Sequence, residues 1–490
     1  MAVLSLVPLG YVLVRAGELG WGTAADFLLR ERIGQLLWST VSLTAAATAT
    51  STALGVGAAV LVERTDLRGR GWWHAALCAP LAVPAFVNGY AWISTTHAVQ
   101  SWAGAVLVTT LSYFPLIYLP TVAALRGMDQ GPGDAATALG LSPARVFWRS
   151  TLPLISPAVL GGALLVGLHL LAEYGALQLL NYPTLTTAIL QQYGTGINVG
   201  QANLLAGVLV VLCLGLLLLE IRLRGPRRRA KVGAGAARPP ERLTLGRRQA
   251  PAQAGLVLVA ALSLGLPFVA LVRWLGGTSA GLDAARLATV TGTTLGYAVV
   301  GGVLATVAAL PVVWLAVRHR GVLATWIERS TYVASSIPGI VVALGLVAVS
   351  LRAVPALYQS AAVLLVGYAI LFLPRAVVSC RGALELVPAR FEEVAHSLGA
   401  GTVATATRVT LPLLLPGIGA AIALVSLAVS TELTATLLLS PIGTETLATR
   451  FWTHASAVEY GAAAPYAAAM VLLSIPATWL LGRLAVRGRA

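Results

Sequence analysis

Two glutamates lie in long apolar stretches of the sequence, where their side chains could attract a cation. Glu173 is part of "LAEYGALQLL" (171–180), and Glu432 is part of "VSTELTATLLLSP" (429–441). An ionised carboxylate in such surroundings is costly unless it faces a partner or a water-filled cavity. Two interpretations stay open: a pair of carboxylates beside a pathway, or interfacial acids bonded to their neighbours Tyr174 and Thr431.

A second pattern occurs twice, in the predicted loops 129–154 and 388–413. Each copy has an acid, then alanine, then a glycine six residues after the acid, and finally Leu-Pro. The first copy comprises Asp134, Ala135, Ala136, Gly140, Leu152 and Pro153, and the second comprises Glu393, Ala395, Gly399, Leu411 and Pro412. The acid favours a helix start, the glycine a tight turn, and Leu-Pro the first turn of the next helix. Such a short, firmly held helix could transmit force from a soluble partner.

The elements that carry these residues belong in a membrane. Hydrophobic residues make up 57% of the chain and charged residues 10%, against about a quarter in soluble proteins. Apolar runs long enough to cross a bilayer recur along the sequence. We place them near 1–15, 38–62, 76–96, 102–125, 155–180, 204–223, 253–275, 291–317, 331–351, 358–379, 415–438 and 461–485. The prediction is an all-α integral membrane protein with about 12 transmembrane helices.

The basic excess is an orientation signal. The net charge is +15, but most Lys and Arg fall in the loops that twelve crossings place on the side of both termini. This is the positive-inside bias, so both termini are expected in the cytoplasm, and nucleic-acid binding is disfavoured. The three cysteines have no metal-type spacing, and no metal site is predicted.

The chain consists of two related halves. Segment 222–250 is rich in Arg, Gly and Pro, and we interpret it as a basic cytoplasmic linker, disordered or loosely held against anionic lipid. It separates a first half (1–221) from a second half (251–490), each with six spans, which therefore run parallel. Glycines, prolines, an arginine and the two glutamates align 259 residues apart, and earlier positions align 254 residues apart.

The two loop copies resemble the EAA loop of binding-protein-dependent ABC importer permeases, whose pattern is E-A-A-x3-G-x9-I-x-L-P. Asp134 replaces the glutamate in copy one and Val394 the first alanine in copy two, while Gly, Leu and Pro are intact in both. The resemblance implies the type I ABC importer permease fold in a bacterial inner membrane. It implies partners as well: ATP-binding-cassette ATPase subunits, expected in two copies, and an extracytoplasmic solute-binding protein.

The fused length is similar to that of ferric iron and thiamine permeases of this family, which makes ferric iron the first substrate expectation. Thr434 stands where ferric permeases commonly have proline, so thiamine, a polyamine or another small solute stays open. The chain's single lysine, Lys231, is not part of a phosphate-binding G-x4-G-K-[ST] loop. We therefore expect no cofactor on this chain and no catalysis by it, with ATP and Mg used by the partner ATPase.

Two other classes of protein remain as alternatives. A twelve-span secondary transporter is suggested by "ERTDLRGRGWW" (63–73), which resembles a loop of the major facilitator superfamily, although Leu67 replaces its arginine. A structural or signalling membrane protein would need neither loop copy. Pro84 and Pro338 break the third spans at matched positions, either as hinges of a pathway or as plain packing kinks.

Overall fold

A computed structural model describes residues 10, 14, 20–128, 131–195, 199–224, 242–277, 283–318, 321 and 337–487. Within these ranges the regular elements are helices, apart from one isolated bridge between Thr65 and Leu243. The predicted all-α class is confirmed for this part of the chain.

The long helices coincide with predicted spans. Seven described helices are long and apolar enough to cross a membrane, or up to nine if each of two bent pairs is one span. The seven are Glu31–Arg64, Pro143–Ala172, Gly200–Leu223, Gly246–Gly276, Ala284–Arg318, Ala361–Glu385 and Thr402–Ser430, and the bent pairs are Arg70–Ala82 with Ala85–Ile93 and Trp102–Tyr113 with Pro115–Gly127. Shorter apolar helices, Gly339–Ala353 and Tyr460–Pro476, occupy two more predicted positions. The predicted span 1–15 lies outside the described residues except for residues 10 and 14.

Large apolar side chains are exposed along the outside of these helices. On Ala284–Arg318, Val299, Val303 and Val307 recur at helical spacing and are all exposed. An apolar stripe of this length is unfavourable in water and suits contact with lipid acyl chains. The exposure pattern therefore supports an integral membrane protein.

The first compact unit comprises residues 31–187, 212–278 and 471–490. Its core is a three-helix packing of Glu31–Arg64, Pro115–Gly127 and Leu152–Ala172. Its other helices include Arg70–Cys78, Ala85–Ile93, Trp102–Tyr113, Gly131–Ala138, Pro143–Val146, Gly175–Leu179, Gln249–Ala260 and Leu266–Gly276.

The second compact unit comprises residues 1–30, 188–211 and 279–470. Its core repeats the arrangement with Ala284–Arg318, Ala361–Glu385 and Leu411–Ser430. Its other helices include Trp21–Leu28, Gly339–Ala353, Arg390–Ser397, Thr402–Thr405, Thr434–Leu439 and Leu447–Ser456. Leu185–Thr195, Val199–Arg224 and Tyr460–Arg487 have residues in both units.

The repeat extends to individual hydrogen bonds. The amide of Leu185 donates to Thr40 Oγ1 at 3.0 Å, and the amide of Leu447 donates to Thr294 Oγ1 at 2.8 Å. Thr40 and Thr294 are aligned 254 residues apart. Each bond fixes the start of an outer helix to the first turns of a core helix, so both units place this segment in the same way.

The last part of the predicted linker, from residue 242, is held by hydrogen bonds, whereas the sequence predicted a loose segment. Residues 225–241 lie outside the described part, but Leu243 donates from its amide to the Arg64 carbonyl at 2.8 Å. The Leu245 amide donates to Asp66 Oδ1 at 2.8 Å, and Trp73 Nε1 donates to Gln253 Oε1 at 2.8 Å. The basic turn 63–73 therefore holds the chain just before the next span, which gives that stretch a structural role.

The Leu-Pro pairs of the two loop copies start the α-helical segments Leu152–Ala172 and Leu411–Ser430, as predicted. Each segment continues directly from the turns before it, so the pairs lie inside the longer helices Pro143–Ala172 and Thr402–Ser430. A π-helical turn precedes each pair, at Phe147–Thr151 and Ala406–Thr410. Proline has no N–H and its ring clashes with the carbonyl four residues earlier, and a wider turn at this point relieves both problems. The helix thus continues through the proline.

We expect Gly302→Ala to destabilise the second unit by about 1–3 kcal/mol, the usual cost of overpacking. A Cβ at Gly302 would stand 2.9 Å from the Ile422 carbonyl oxygen, which belongs to the backbone of a neighbouring core helix. Gly296→Ala on the same helix is the control, because a Cβ there meets nothing within 4 Å. Thermal unfolding in detergent measures both variants, and equal midpoints would contradict the packing described.

Candidate coupling loops and pathway glutamates

The first loop copy forms a short helix that ends in a glycine turn. The helix Gly131–Ala138, the first loop helix, contains Asp134 and Ala135. Gly140 follows with a φ of 78°, its amide donates to the Thr137 carbonyl at 2.9 Å, and the Leu141 amide donates to the Ala136 carbonyl at 3.2 Å. This pair of bonds is a Schellman motif, which favours glycine because of the left-handed φ.

The second loop copy has the same construction. The helix Arg390–Ser397, the second loop helix, is followed by Gly399 with a φ of 86°. The Gly399 amide donates to the His396 carbonyl at 3.0 Å, and the Ala400 amide donates to the carbonyl of the buried Ala395 at 3.0 Å. The turns predicted from Gly140 and Gly399 therefore form, and the two loops are the same structure.

Each loop exposes an apolar side chain at the same motif position. Leu139 is 83% exposed and Leu398 is 82% exposed, and the two residues are 259 positions apart. Glu393 is exposed on the second loop helix. Phe391 and Val394 of the second loop helix are exposed as well, so the surface of this loop is partly apolar. The motif alone pointed to the acid, glycine and proline and missed these leucines, whose signal was their alignment between the copies.

Glu173 lies at a break in a helix, which differs from its predicted place inside a continuous span. The helix Leu152–Ala172 ends just before it, and its backbone is extended with a ψ of 120°. Its Oε1 accepts a hydrogen bond from the Ala176 amide at 2.9 Å, at the start of the helix Gly175–Leu179. The Tyr113 hydroxyl donates to its Oε2. The carboxylate therefore caps the second helix and holds the break in place.

Glu432 has the equivalent position in the second unit. It lies between the helices Leu411–Ser430 and Thr434–Leu439, and its Oε1 accepts from the Ala435 amide at 3.0 Å. The Thr436 hydroxyl donates to the Glu432 carbonyl at 2.7 Å and is also bonded to Tyr368 Oη at 2.7 Å. The Arg375 guanidinium interacts electrostatically with Glu432. The capping role is shared by both glutamates, while their polar partners differ.

The matched prolines lie beside these breaks. At Pro84 the chain bends by 89°, and the following helix Ala85–Ile93 packs on Gly175–Leu179. Pro338 precedes the helix Gly339–Ala353, which packs on Thr434–Leu439. A Cβ at Gly339 would stand 3.6 Å from Glu432 Oε1. Within each unit the structure therefore brings the predicted proline and the predicted glutamate into one cluster.

Of the neighbours suggested as partners of the glutamates, Thr431 bonds within its own helix. The Thr431 hydroxyl donates to the carbonyls of Leu427 and Ala428 in its own helix, and Tyr174 is buried. Tyr113, which carries no sequence signal, is the side chain bonded to Glu173. Among the described residues, no group of three or more His, Cys, Asp or Glu is arranged to hold a metal ion.

Comparison with known proteins supports the resemblance to ABC importer permeases along nearly the whole chain. The family "Binding-protein-dependent transport system inner membrane component" matches residues 51–222 and 301–489, one match in each half. The Fe(3+)-transport system permease protein FbpB 2 of Haemophilus influenzae is 38% identical over 98% of this chain and 96% of its own length. The sulfate transport system permease protein CysW of Escherichia coli is 27% identical over 47% of this chain and 87% of its own length.

These matches confirm the permease prediction and place the chain among non-catalytic membrane components of ATP-driven importers. ABC permeases work with an ATPase and a substrate-binding protein, so the general classes of partner follow from the family. An integral inner-membrane location follows in the same way from the apolar helices and the relatives. The chain belongs to the family of binding-protein-dependent transport system inner membrane components.

Proposed function

We propose that this permease forms the translocation pathway of an importer for ferric iron. The similarity to a Fe(3+)-transport system permease over 98% of this chain carries the substrate assignment. The sulfate and molybdenum permeases match at most about half of the chain. Twelve spans in two parallel halves, with both termini in the cytoplasm, complete the proposed topology.

The two glutamates provide the chemistry for a passing cation. Each glutamate is a half-buried residue just after the end of a long apolar helix. One oxygen of each is occupied by an amide, which fixes the direction of the carboxylate without removing its charge. Fixed carboxylates attract a hard cation such as Fe3+ and repel an oxyanion, so they support ferric iron over sulfate as the substrate.

The proline bends give the pathway a means to open. Pro84 and Pro338 lie next to the glutamate breaks, in helices that pack directly on the capped helices. A rotation at either proline would move the packed helix and change the access to the carboxylate without breaking helical hydrogen bonds elsewhere. We assign the pathway to Glu173, Tyr174, Pro84, Thr431, Glu432 and Pro338, with Tyr113 added by the structure.

The two loop helices are the proposed contacts to the ATPase, one subunit on each loop. Leu139 and Leu398 would enter apolar pockets of the ATPase, and Glu393 would remain at the rim of that contact. The Schellman turns present these leucines rigidly. ATP and Mg are bound and used by the ATPase, and the solute-binding protein delivers the substrate from the opposite side.

Reconstitution tests the assignment of substrate and energy source together. The permease, its ATPase and its binding protein are placed in vesicles, and uptake of ferric iron and thiamine is measured with and without ATP. We expect ferric uptake that requires ATP and an excess of at least about tenfold over thiamine, a difference of ~1.4 kcal/mol. Preferred thiamine uptake would overturn the substrate, and ATP-independent uptake would indicate a secondary transporter.

We expect Gly140→Asp combined with Gly399→Asp to uncouple transport from ATP hydrolysis. A side chain at a left-handed φ costs about 1–2 kcal/mol per site and opens the Schellman turn that positions each loop helix. Uptake should fall about tenfold or more while the protein still reaches the membrane. Gly401→Asp is the control, because φ there is −68° and a Cβ meets nothing within 4 Å. Normal uptake by the double variant would refute the coupling assignment.

Replacement of both Glu173 and Glu432 by glutamine should reduce ferric uptake about tenfold or more. Glutamine can still accept the amide bonds of Ala176 and Ala435, so the helix breaks stay capped while the charge is lost. Glu385→Gln, at the end of the helix Ala361–Glu385, is the matched control because its carboxylate is 51% exposed and bonded to Arg381. Unchanged uptake by the double variant would favour the interfacial interpretation of both glutamates.

A further inference from the structure

Three long apolar helices of the first compact unit have their ends at one place on its surface. Glu31–Arg64 ends there, and Arg70–Ala82 and Gly246–Gly276 begin there. A bridge between Thr65 and Leu243 joins the chain segments at these ends directly. Because each helix is apolar enough to cross a membrane, alone or as part of a bent pair, their common end lies at the depth where lipid headgroups meet water.

Side chains fix these ends to one another. The Asp66 carboxylate accepts a hydrogen bond from the Leu245 amide at 2.8 Å. The side-chain amide of Gln253 is bonded at both ends: its Nε2 donates to the Arg68 carbonyl at 3.0 Å, and its Oε1 accepts from Trp73 Nε1 at 2.8 Å. Two segments about 180 residues apart in the sequence are thereby held side by side.

The joined segments, residues 64–73 and 242–253, form a strongly basic surface, which we call the basic joint. They contain six arginines and one acid, Asp66, whose Oδ1 is engaged by an amide. Four of these arginines are exposed: Arg68, Arg242, Arg247 and Arg248. Asp66 is two positions from Arg68, and its partner Leu245 is two positions from Arg247, so exposed arginines of both segments lie beside one hydrogen bond.

Trp72 supports the placement of the basic joint at the membrane surface. It lies in the first turn of the helix Arg70–Cys78 and is 65% exposed, whereas its neighbour Trp73 is buried. An exposed indole is unfavourable in water, but it is favoured at the membrane interface, where its ring meets acyl chains and its N–H meets headgroups. An exposed indole next to exposed arginines therefore suits lipid.

We propose that the basic joint binds the phosphate headgroups of anionic lipids. Guanidinium groups bind phosphate oxygens in pairs, and basic surfaces between membrane helices attract anionic headgroups. Each segment supplies arginines to one site, so a bound lipid would strengthen the joint between the turn 64–73 and the start of the helix Gln249–Ala260. The placement in the cytoplasmic leaflet rests on the proposed topology, whereas the binding itself does not.

The first test measures lipid binding to the full-length permease in a non-ionic detergent. Phosphatidylglycerol or phosphatidylcholine is added, and bound lipid is counted by native mass spectrometry. We expect saturable, tighter binding of phosphatidylglycerol, and a loss of its affinity of about tenfold in Arg247→Gln combined with Arg248→Gln. Phosphatidylcholine binding should not change. Unchanged phosphatidylglycerol affinity in this variant would overturn the inference.

Arg30→Gln combined with Arg32→Gln is the matched control. These two arginines are also exposed, and they lie at the other end of the helix Glu31–Arg64. In detergent both ends of the protein are accessible to lipid, so the comparison isolates the site from the leaflet. The control should lower phosphatidylglycerol affinity less than about twofold, and a loss equal to that of the Arg247 and Arg248 variant would mean general charge attraction and refute the site.

Two variants of Asp66 separate a built site from a simple excess of charge. Asp66→Ala and Asp66→Asn both remove one negative charge, but only asparagine keeps an oxygen that can accept from the Leu245 amide. We expect Asp66→Ala to lower phosphatidylglycerol affinity about threefold or more, because the two segments separate, and Asp66→Asn to bind at least as tightly as the wild type. An increase in both variants would show that net charge alone attracts the lipid, which contradicts the proposal.

A further experiment tests the other occupant, a soluble protein. The permease and its variants are placed in vesicles of phosphatidylcholine alone, and co-sedimentation of the ATPase is measured. The Arg247→Gln/Arg248→Gln variant should retain as much ATPase as the wild type. A loss of ATPase from this variant would assign the basic joint to a protein contact and overturn the lipid site. The lipid measurements use the permease alone, so failure of the proposed import function would leave their result unchanged.

Discussion

The structure depends on one constraint: within a membrane, every backbone N–H and C=O needs a partner from the protein itself. A continuous helix meets this requirement, but a pathway needs breaks, and each break exposes amides. At the breaks that follow the helices Leu152–Ala172 and Leu411–Ser430, the amides of Ala176 and Ala435 lie in the first turn of the next helix and have no partner within it. They donate to the side chains of Glu173 and Glu432. The glutamates thereby make the interruption of the helix possible.

The same requirement explains why structure and chemistry coincide at these positions. An amide cap needs a side-chain oxygen at the start of the next helix, and an acid there is favoured by the helix dipole. A carboxylate that satisfies one amide still carries its charge and a second oxygen, which in the first unit accepts from Tyr113. In the proposed pathway, the carboxylate that caps the backbone amide is also the group that a cation would meet. A neutral cap would satisfy the backbone equally well but would offer no charge.

Much of this architecture could be predicted because it depends on patterns that are visible in the amino-acid sequence. Hydropathy located the long apolar helices that the structure describes, and the aligned Gly140 and Gly399 predicted turns, which form with a left-handed φ. The helix breaks at Glu173 and Glu432 were missed, because glutamate favours helices locally and only the tertiary fold stops them there. Tyr113 was also missed, because its partner Glu173 is 60 positions away in the chain. The π turns before the two Leu-Pro pairs were not predicted, because other Leu-Pro pairs, such as Leu119-Pro120, lie in an ordinary α-helix.

Because the two halves are fused in one chain, the side chains around the two glutamates could diverge from each other. In a symmetric pair of identical subunits, any change at one loop or one glutamate would appear at both. Here the backbone devices are duplicated, including the Schellman turns, the amide caps and the threonine bonds at Thr40 and Thr294. The polar side chains at the two glutamates differ: Tyr113 donates to Glu173, and Arg375 interacts with Glu432. Membrane burial constrains the backbone in both copies, whereas side-chain partners can vary, so functional asymmetry is expected first in the polar contacts.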